Sequence, residues 1–353
     1  MKKVLYLSNI EVPYKVRFFN ELSKHCDLTV LYERSSSSNR DSKWAGSEEI
    51  KYKAVYLDGI KIGNEFSFSF GVLKYVLGKY DEVIISCFNS PVQLMTSLVM
   101  RILNKPYCLS FDGEMFLTGK GLKAQLKRFF VLGAKKYLTA GEKSAESLRS
   151  IVKDKEIVPY YFSSMSKDEI EEHELRQREV IRDKTVLVVG QYFDYKGMDI
   201  ALEATKMDSS IQYKFVGMGK RTELFLNEQG ARECDNVQVI PFMQKEELEE
   251  EYMKTALLVL PSRQECWGLV INEAASFGTP IVATDGSGAA VEFLQEEYAA
   301  YLAKAGDPKD LVDKIRYTLN EDCTEYSQYL IEKGKKYSVQ EMVKVHCMIL
   351  GVE

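Results

Sequence analysis

The sequence predicts an α/β protein of two successive parallel-sheet domains, on three observations. Short apolar runs alternate with helix-like segments, the alternation lapses in a polar stretch near mid-chain, and it then resumes. With 353 residues, 45% hydrophobic and 28% charged, the chain has apolar material for two cores.

In chain order, Val4–Ser8 reads as the first strand, followed by a helical pattern around Val16–Lys24 and a strand over Leu28–Tyr32. Lys53–Leu57, Val83–Cys87 and Tyr107–Phe111 are further strand candidates, while Gly71–Lys79 and Pro91–Leu103 carry helical apolar spacing. Buried strands separated by helices predict βαβ units. The pattern fades before Ser163–Lys184, which is almost wholly polar and reads as the domain junction with a solvated lead-in helix. A second cycle follows, with strands over Thr185–Gly190, Gln212–Gly217, Val237–Pro241, Ala256–Pro261 and Ile281–Thr284. The acidic Lys245–Met253 segment is one of the helices between them, and Val339–Leu350 forms a short terminal one. The domains are expected over 1–165 and 166–334, with a ligand in the cleft between them at the carboxyl ends of the strands.

Seven cysteines, odd in number and without a CxxC, argue against a disulfide framework or a zinc site and suit a reducing compartment. MKKVLYLSN has too short an apolar run for a signal peptide, and Pro91–Leu103 is too short and polar for a membrane span. A soluble chain is expected. The net charge of −5 conceals an asymmetry: residues 1–165 hold 25 Lys+Arg against 17 Asp+Glu, leaving 22 against 35 in the remainder. A basic first half could attract nucleic acid, anionic lipid or a phosphorylated substrate.

The most informative segment is Pro261–Glu292, PSRQECWGLVINEAASFGTPIVATDGSGAAVE. A strand ends at Pro261, a polar loop carries Glu265, and a helix from Gly268 to about Phe277 carries Glu273 before Gly278-Thr-Pro stops it. The backbone N–H groups of Trp267, Gly268 and Leu269 would make a phosphate cradle. Carboxylates on both sides of that cradle suit a ligand with hydroxyls flanking its phosphates, which is the layout of a nucleotide sugar.

Glu265, seven residues, then Glu273, set in ECWGLVINEAASFGTPIVAT, resembles the EX7E signature of the GT4-type retaining glycosyltransferases of the GT-B fold, as found in bacterial polysaccharide and capsule synthesis. VGQYFDYKGMD (189–199) resembles the family's Gly-Arg-Leu…Lys-Gly loop, VGMGK (216–220) its Val-Gly-x-Gly turn, and KEELEEEYMKTALLVLPS the approach to EX7E. The resemblance implies two Rossmann-like domains facing a cleft, the first for the acceptor and the second for the nucleotide sugar. It also implies that a C-terminal helix within 335–353 completes the first domain.

Lys196 would neutralise the diphosphate as the nucleotide leaves, Glu273 would accept from the ribose and Glu265 from the transferred sugar. Gly190, Gln191, Gly217, Cys266, Trp267, Gly268 and Leu269 complete the donor side. Retention would need no covalent protein intermediate, because a phosphate oxygen could take the acceptor proton. No cofactor or metal is expected beyond the nucleotide-sugar substrate, with UDP the expected nucleotide.

Three departures stand out. Gln191 occupies a position where the family often has an Arg on the diphosphate, so Lys196 carries more of the charge. The first loop, SNIEVPYKVRFFNEL (8–22), lacks the family's glycines and resembles a Pro-Tyr-Arg version, making Tyr14, Lys15 and Arg17 acceptor-side or phosphate-side candidates; a helix simply starting after Pro13 is the plain alternative. Phe111 stands at or near the position of a family His that lies close to the transferred sugar. Asp112, a catalytic candidate, and Glu114, on the acceptor side, follow it, although Asp-Gly is also an ordinary turn pair.

Lys120–Lys136, KGLKAQLKRFFVLGAKK, contains no acid and has amphipathic helical spacing. Lys120, Lys123, Lys127 and Arg128 are therefore candidates for contact with an anionic membrane surface, where the acceptor would be a lipid-linked saccharide. The alternative packs the apolar stripe on the sheet. The expected protein is a cytoplasmic transferase, peripheral to the inner face of the membrane. A GT-B epimerase-like enzyme using the donor alone and a noncatalytic partner subunit are the rivals. Nucleic-acid binding leaves the second-domain motifs unexplained.

Overall fold

KVLYLSNI and DLTVLYER are apolar on both faces, so they can lie only inside a sheet covered on both sides. They become adjacent parallel strands, with Leu5 opposite Thr29 and Leu7 opposite Leu31. The computed structural model describes residues 1–34, 48–62, 66–86, 90–112, 121–178, 180–228 and 230–353. It divides into two units, Met1–Ser164 with Val339–Glu353, and Met165–Ser338.

The first unit runs β1 (Lys3–Ile10), α1 (Pro13–Leu22), β2 (Asp27–Arg34), β3 (Lys53–Tyr56), β4 (Ile60–Ile62), β5 (Phe66–Phe68) and α2 (Val72–Val76). It continues through β6 (Glu82–Ser86), α3 (Pro91–Ile102), β7 (Cys108–Phe111), α4 (Leu122–Val131), β8 (Lys136–Ala140), α5 (Gly141–Arg149) and β9 (Glu156–Tyr160). The sheet order is β3-β2-β1-β6-β7-β8-β9, and β4 pairs with β5 as a separate ribbon. Every neighbouring pair in the large sheet is parallel. Leu5, Leu7, Leu31, Ile85, Leu109 and Tyr137 pack one face against α2 and α3 residues such as Val76, Val92 and Met100.

The second unit contains α6 (Lys167–Gln177), β10 (Thr185–Val189), α7 (Met198–Met207), β11 (Gln212–Val216), α8 (Thr222–Glu228), β12 (Val237–Ile240) and α9 (Lys245–Lys254). It ends with β13 (Leu257–Leu260), α10 (Leu269–Ser276), β14 (Ile281–Thr284), α11 (Gly288–Phe293), β15 (Leu302–Ala303), α12 (Pro308–Asn320) and α13 (Thr324–Lys336). Its parallel sheet has the order β12-β11-β10-β13-β14-β15. The Arg182 guanidinium donates to the carbonyls of Tyr252, Met253, Thr255 and Phe277, closing the C-terminal ends of α9 and α10.

The final helix, α14 (Val339–Leu350), belongs to the first unit. Its buried His346 meets the rings of Phe18 at 4.7 Å and Tyr160 at 5.0 Å edge-on. The polar segment around residue 170 is less solvated than its composition implies. A Ser166–Glu169 capping box starts α6, and its Ile170 and His173 are buried. Three elements after Phe111 (β8, α5 and β9) lie where the sequence pattern fades, whereas α4 falls within the amphipathic Lys120–Lys136 segment.

Candidate functional site

In the second unit the site forms where β10 and β13, neighbours in the sheet, release their chains. After β10, Gly190 donates to Val216 O at 2.9 Å, and the chain then makes a 3-10 turn over Asp194–Lys196. Gly197 ends that turn with φ +66°, and a Cβ there would lie 2.0 Å from Pro261 O. Only glycine allows the Lys196 loop to lie this close to the loop after β13. Gln264 N donates to Tyr195 O at 3.1 Å and joins the two loops a second time.

Lys196 Nζ meets Glu265 Oε2 in a direct ion pair, with the two side chains 22% and 15% exposed. The backbone of Glu265 is fixed on both sides: its N–H donates to Gly286 O at 2.8 Å, and its carbonyl accepts from Gly288 N at 3.3 Å. Ser262 Oγ approaches the same carboxylate at 3.4 Å.

Arg263 supplies a clamp that motif reading missed. Its Nη1 donates to Asp199 Oδ1 and to Asp194 O, both at 2.7 Å, and its Nη2 to Asp199 Oδ2 at 2.5 Å. This two-pronged contact ties the first turn of α7 to the Glu265 loop. Burial works against the Asp199 carboxylate, and the Arg263 bonds overcome it to hold its pKa below the ordinary value. The signal in the sequence was an Arg two residues before Glu265 and an Asp three after Lys196.

Gly268, at φ +106°, is the N-cap of α10, where a Cβ would meet Leu260 Cδ2 at 2.8 Å and Ser287 Oγ at 2.9 Å. Leu269 is the first residue of the helix, and Cys266 is exposed just ahead of it. The Trp267 indole is committed to the core: it is 2% exposed, donates to Asn272 Oδ1 at 2.8 Å and stacks on Tyr337. Glu273, on α10, accepts from the buried Tyr252 hydroxyl at 2.9 Å. Burial, with the Glu273 carboxylate second, pushes that phenol well above its ordinary pKa, so it stays a donor. Gln191 is half-buried, and Gly217, at φ +97°, packs beside Gly190.

The first unit gathers a second polar group at the ends of β1 and β7. Lys15, in the first turn of α1, donates to Asn9 Oδ1 at 2.9 Å and lies 3.7 Å from Asp112 Oδ2. Tyr160 donates to Asp112 Oδ1 at 3.1 Å. Lys15 and Asp112, with Ser8, Ser86, Tyr14 and Phe162, line a cavity of about 20 Å³, room for a single water. Arg17 does not line it, being tied to Glu48 at 2.8 Å and to Ser164 O at 2.7 Å. Glu114 and Lys120 lie outside the described residues. Lys123 and Lys127 fall within α4, and Arg128 is exposed on it.

Comparison with known proteins points the same way. Residues 170–337 match the family profile described as glycosyl transferases group 1. An uncharacterized glycosyltransferase of Methanocaldococcus jannaschii is 30% identical over 43% of this chain and 42% of its own length. An uncharacterized protein of the Klebsiella pneumoniae cps region is 29% identical over 31% of this chain and 30% of its own. The chain thus spans less than half the length of these curated relatives. A solved structure of Anabaena HepE in complex with UDP and glucose superposes with a TM-score of 0.70 over 99% of both chains, at 15% identity, a likeness of fold. Residues 170–337 are thus similar to the group 1 glycosyltransferases, the GT4-type family, and the two parallel-sheet units have the GT-B fold.

Proposed function

We propose that the chain is a retaining glycosyltransferase that binds a nucleotide sugar in its second unit and passes the sugar to a lipid-linked saccharide held by its first. The observation that carries this reading is the Lys196–Glu265 pair, locked by Gly197 and Arg263 between two loops, with Glu273 on the adjoining helix. A cation for a diphosphate and two carboxylates for hydroxyls match the chemistry of a nucleotide sugar. In the transfer, the bond from the anomeric carbon to the diphosphate oxygen breaks while the acceptor oxygen bonds that carbon on the same face. The acceptor proton passes to a phosphate oxygen. Lys196 offsets the charge gathering on the leaving diphosphate. Asp112, oriented by Tyr160 and Lys15, would position the acceptor hydroxyl.

UDP and its sugars are the first donors to test, since HepE was solved with UDP and glucose. The cps-region relative supports a role in cell-surface polysaccharide synthesis. Support for a membrane-surface acceptor comes from α3 and α4, where Leu98, Ile102, Leu126 and Phe129 are exposed and the Arg101 guanidinium lies 3.8 Å over the Phe129 ring. Only part of the α4 apolar stripe is buried, at Phe130 and Val131. Among the described residues no helix is long and apolar enough to cross a membrane, so the contact would be peripheral.

The deciding experiment is calorimetric titration with UDP-, GDP- and ADP-sugars, repeated on Lys196→Ala. One nucleotide family should bind the native protein, and the variant should lose that binding. If none binds, the donor-site reading is wrong.

A further inference from the structure

We propose that Glu265 makes this site select a nucleotide sugar over the bare nucleoside diphosphate, because the cation facing the diphosphate is the one that neutralises Glu265. The proposal rests on the donor-site reading above. Among the described residues, Lys196 is the cation bonded to the Glu265 carboxylate, and Ser262 Oγ approaches it at 3.4 Å, near the limit of a hydrogen bond. Arg263 cannot replace Lys196, since its guanidinium is spent on Asp199 and on Asp194 O. The carboxylate cannot withdraw with its backbone, which Gly286 and Gly288 hold on both sides.

When a diphosphate draws Lys196 to itself, a carboxylate only 15% exposed is left without its cation beside a group of like charge. A partly buried charge that loses its partner is costly. A sugar on the diphosphate supplies hydroxyl donors that satisfy the carboxylate, whereas a bare diphosphate supplies none there. The same asymmetry favours release of the nucleotide once the sugar has been transferred.

The test measures the dissociation constants of UDP and UDP-glucose, or of whichever nucleotide pair binds, for the native protein, Glu265→Gln and Glu265→Ala. Native protein should hold the sugar nucleotide at least as tightly as the bare diphosphate. Glu265→Gln should bind the diphosphate about tenfold tighter, or ~1.4 kcal/mol, and its preference for the sugar nucleotide should shrink by a similar factor. Glu265→Ala should also gain affinity for the diphosphate, which guards against one variant misfolding. Native protein binding the diphosphate tenfold tighter than its sugar derivative would overturn the proposal, as would variants that gain nothing. If no nucleotide binds the native protein, the donor reading itself fails, which is a different result.

Discussion

Replacing Gly197 by alanine tests the joint on which the site depends. The position has φ +66° and ψ +23°, a left-handed conformation that costs an alanine roughly 1–2 kcal/mol. The new Cβ would lie 2.0 Å from Pro261 O and 2.9 Å from Pro261 C, backbone atoms at the end of a strand buried in the sheet. Relieving such a contact means moving one loop away from the other, and overpacking of this kind costs about 1–3 kcal/mol. Together they predict a loss of roughly 2–5 kcal/mol from the second unit. At about 2–4 °C per kcal/mol for a domain of this size, its melting temperature should drop by roughly 5–15 °C. Because Lys196 is the preceding residue, the shift also breaks its register with Glu265, and donor affinity should fall at least tenfold. Scanning calorimetry and titration with the sugar nucleotide read the two effects separately. A Gly197→Ala protein that melts within about 2 °C of the native one and binds donor normally would show that the loops are not locked as described.

Arg263→Ala should weaken donor binding several-fold, while stability falls by only about 1 kcal/mol, as expected of a pair some 30% exposed. Arg263→Lys should restore only part of the binding, because an ammonium cannot grip Asp199 with two prongs; full rescue by lysine would refute the clamp. In the first unit, burial raises the Glu33 carboxyl to about 7 from an ordinary 4.5, against the lowering effects of Ser90, Arg34, Lys15 and Gln93. The folded state therefore holds a proton that the unfolded chain has released, and stability falls as pH rises from about 4.5 to 7. Glu33→Gln should thus raise the melting temperature at pH 8 and change it little at pH 4, and equal shifts at both would contradict the assignment. Leu126→Asp should abolish binding to anionic liposomes at low salt without lowering the melting temperature, since its side chain is exposed. Unchanged sedimentation with liposomes would remove α4 as the membrane contact.

Alternation of buried runs was enough to read the α/β class, because strands covered on both faces must be apolar throughout, as in LLVL of β13 and IVAT of β14. The pattern failed after Phe111 for local reasons. β9 contains Pro159 and is only half-buried, which suits its place at the sheet edge but hides it as a strand. The chain of α4 leaves apolar residues in solvent, so its helical stripe does not mark a core.

Within the site, the sequence alone determined the positions that share one continuous segment. Seven residues between Glu265 and Glu273, with Gly268 between them, put one carboxylate on the loop and the other on the helix whatever else the chain does. Only the tertiary structure decided what those groups touch. The partners of Glu265 and Arg263 lie 69 and 64 residues away, the Tyr252 donor to Glu273 sits on another helix, and Tyr160 reaches Asp112 across 48 residues. Local spacing follows from helix and strand geometry, whereas pairing between distant side chains depends on how two loops pack, which no local periodicity encodes.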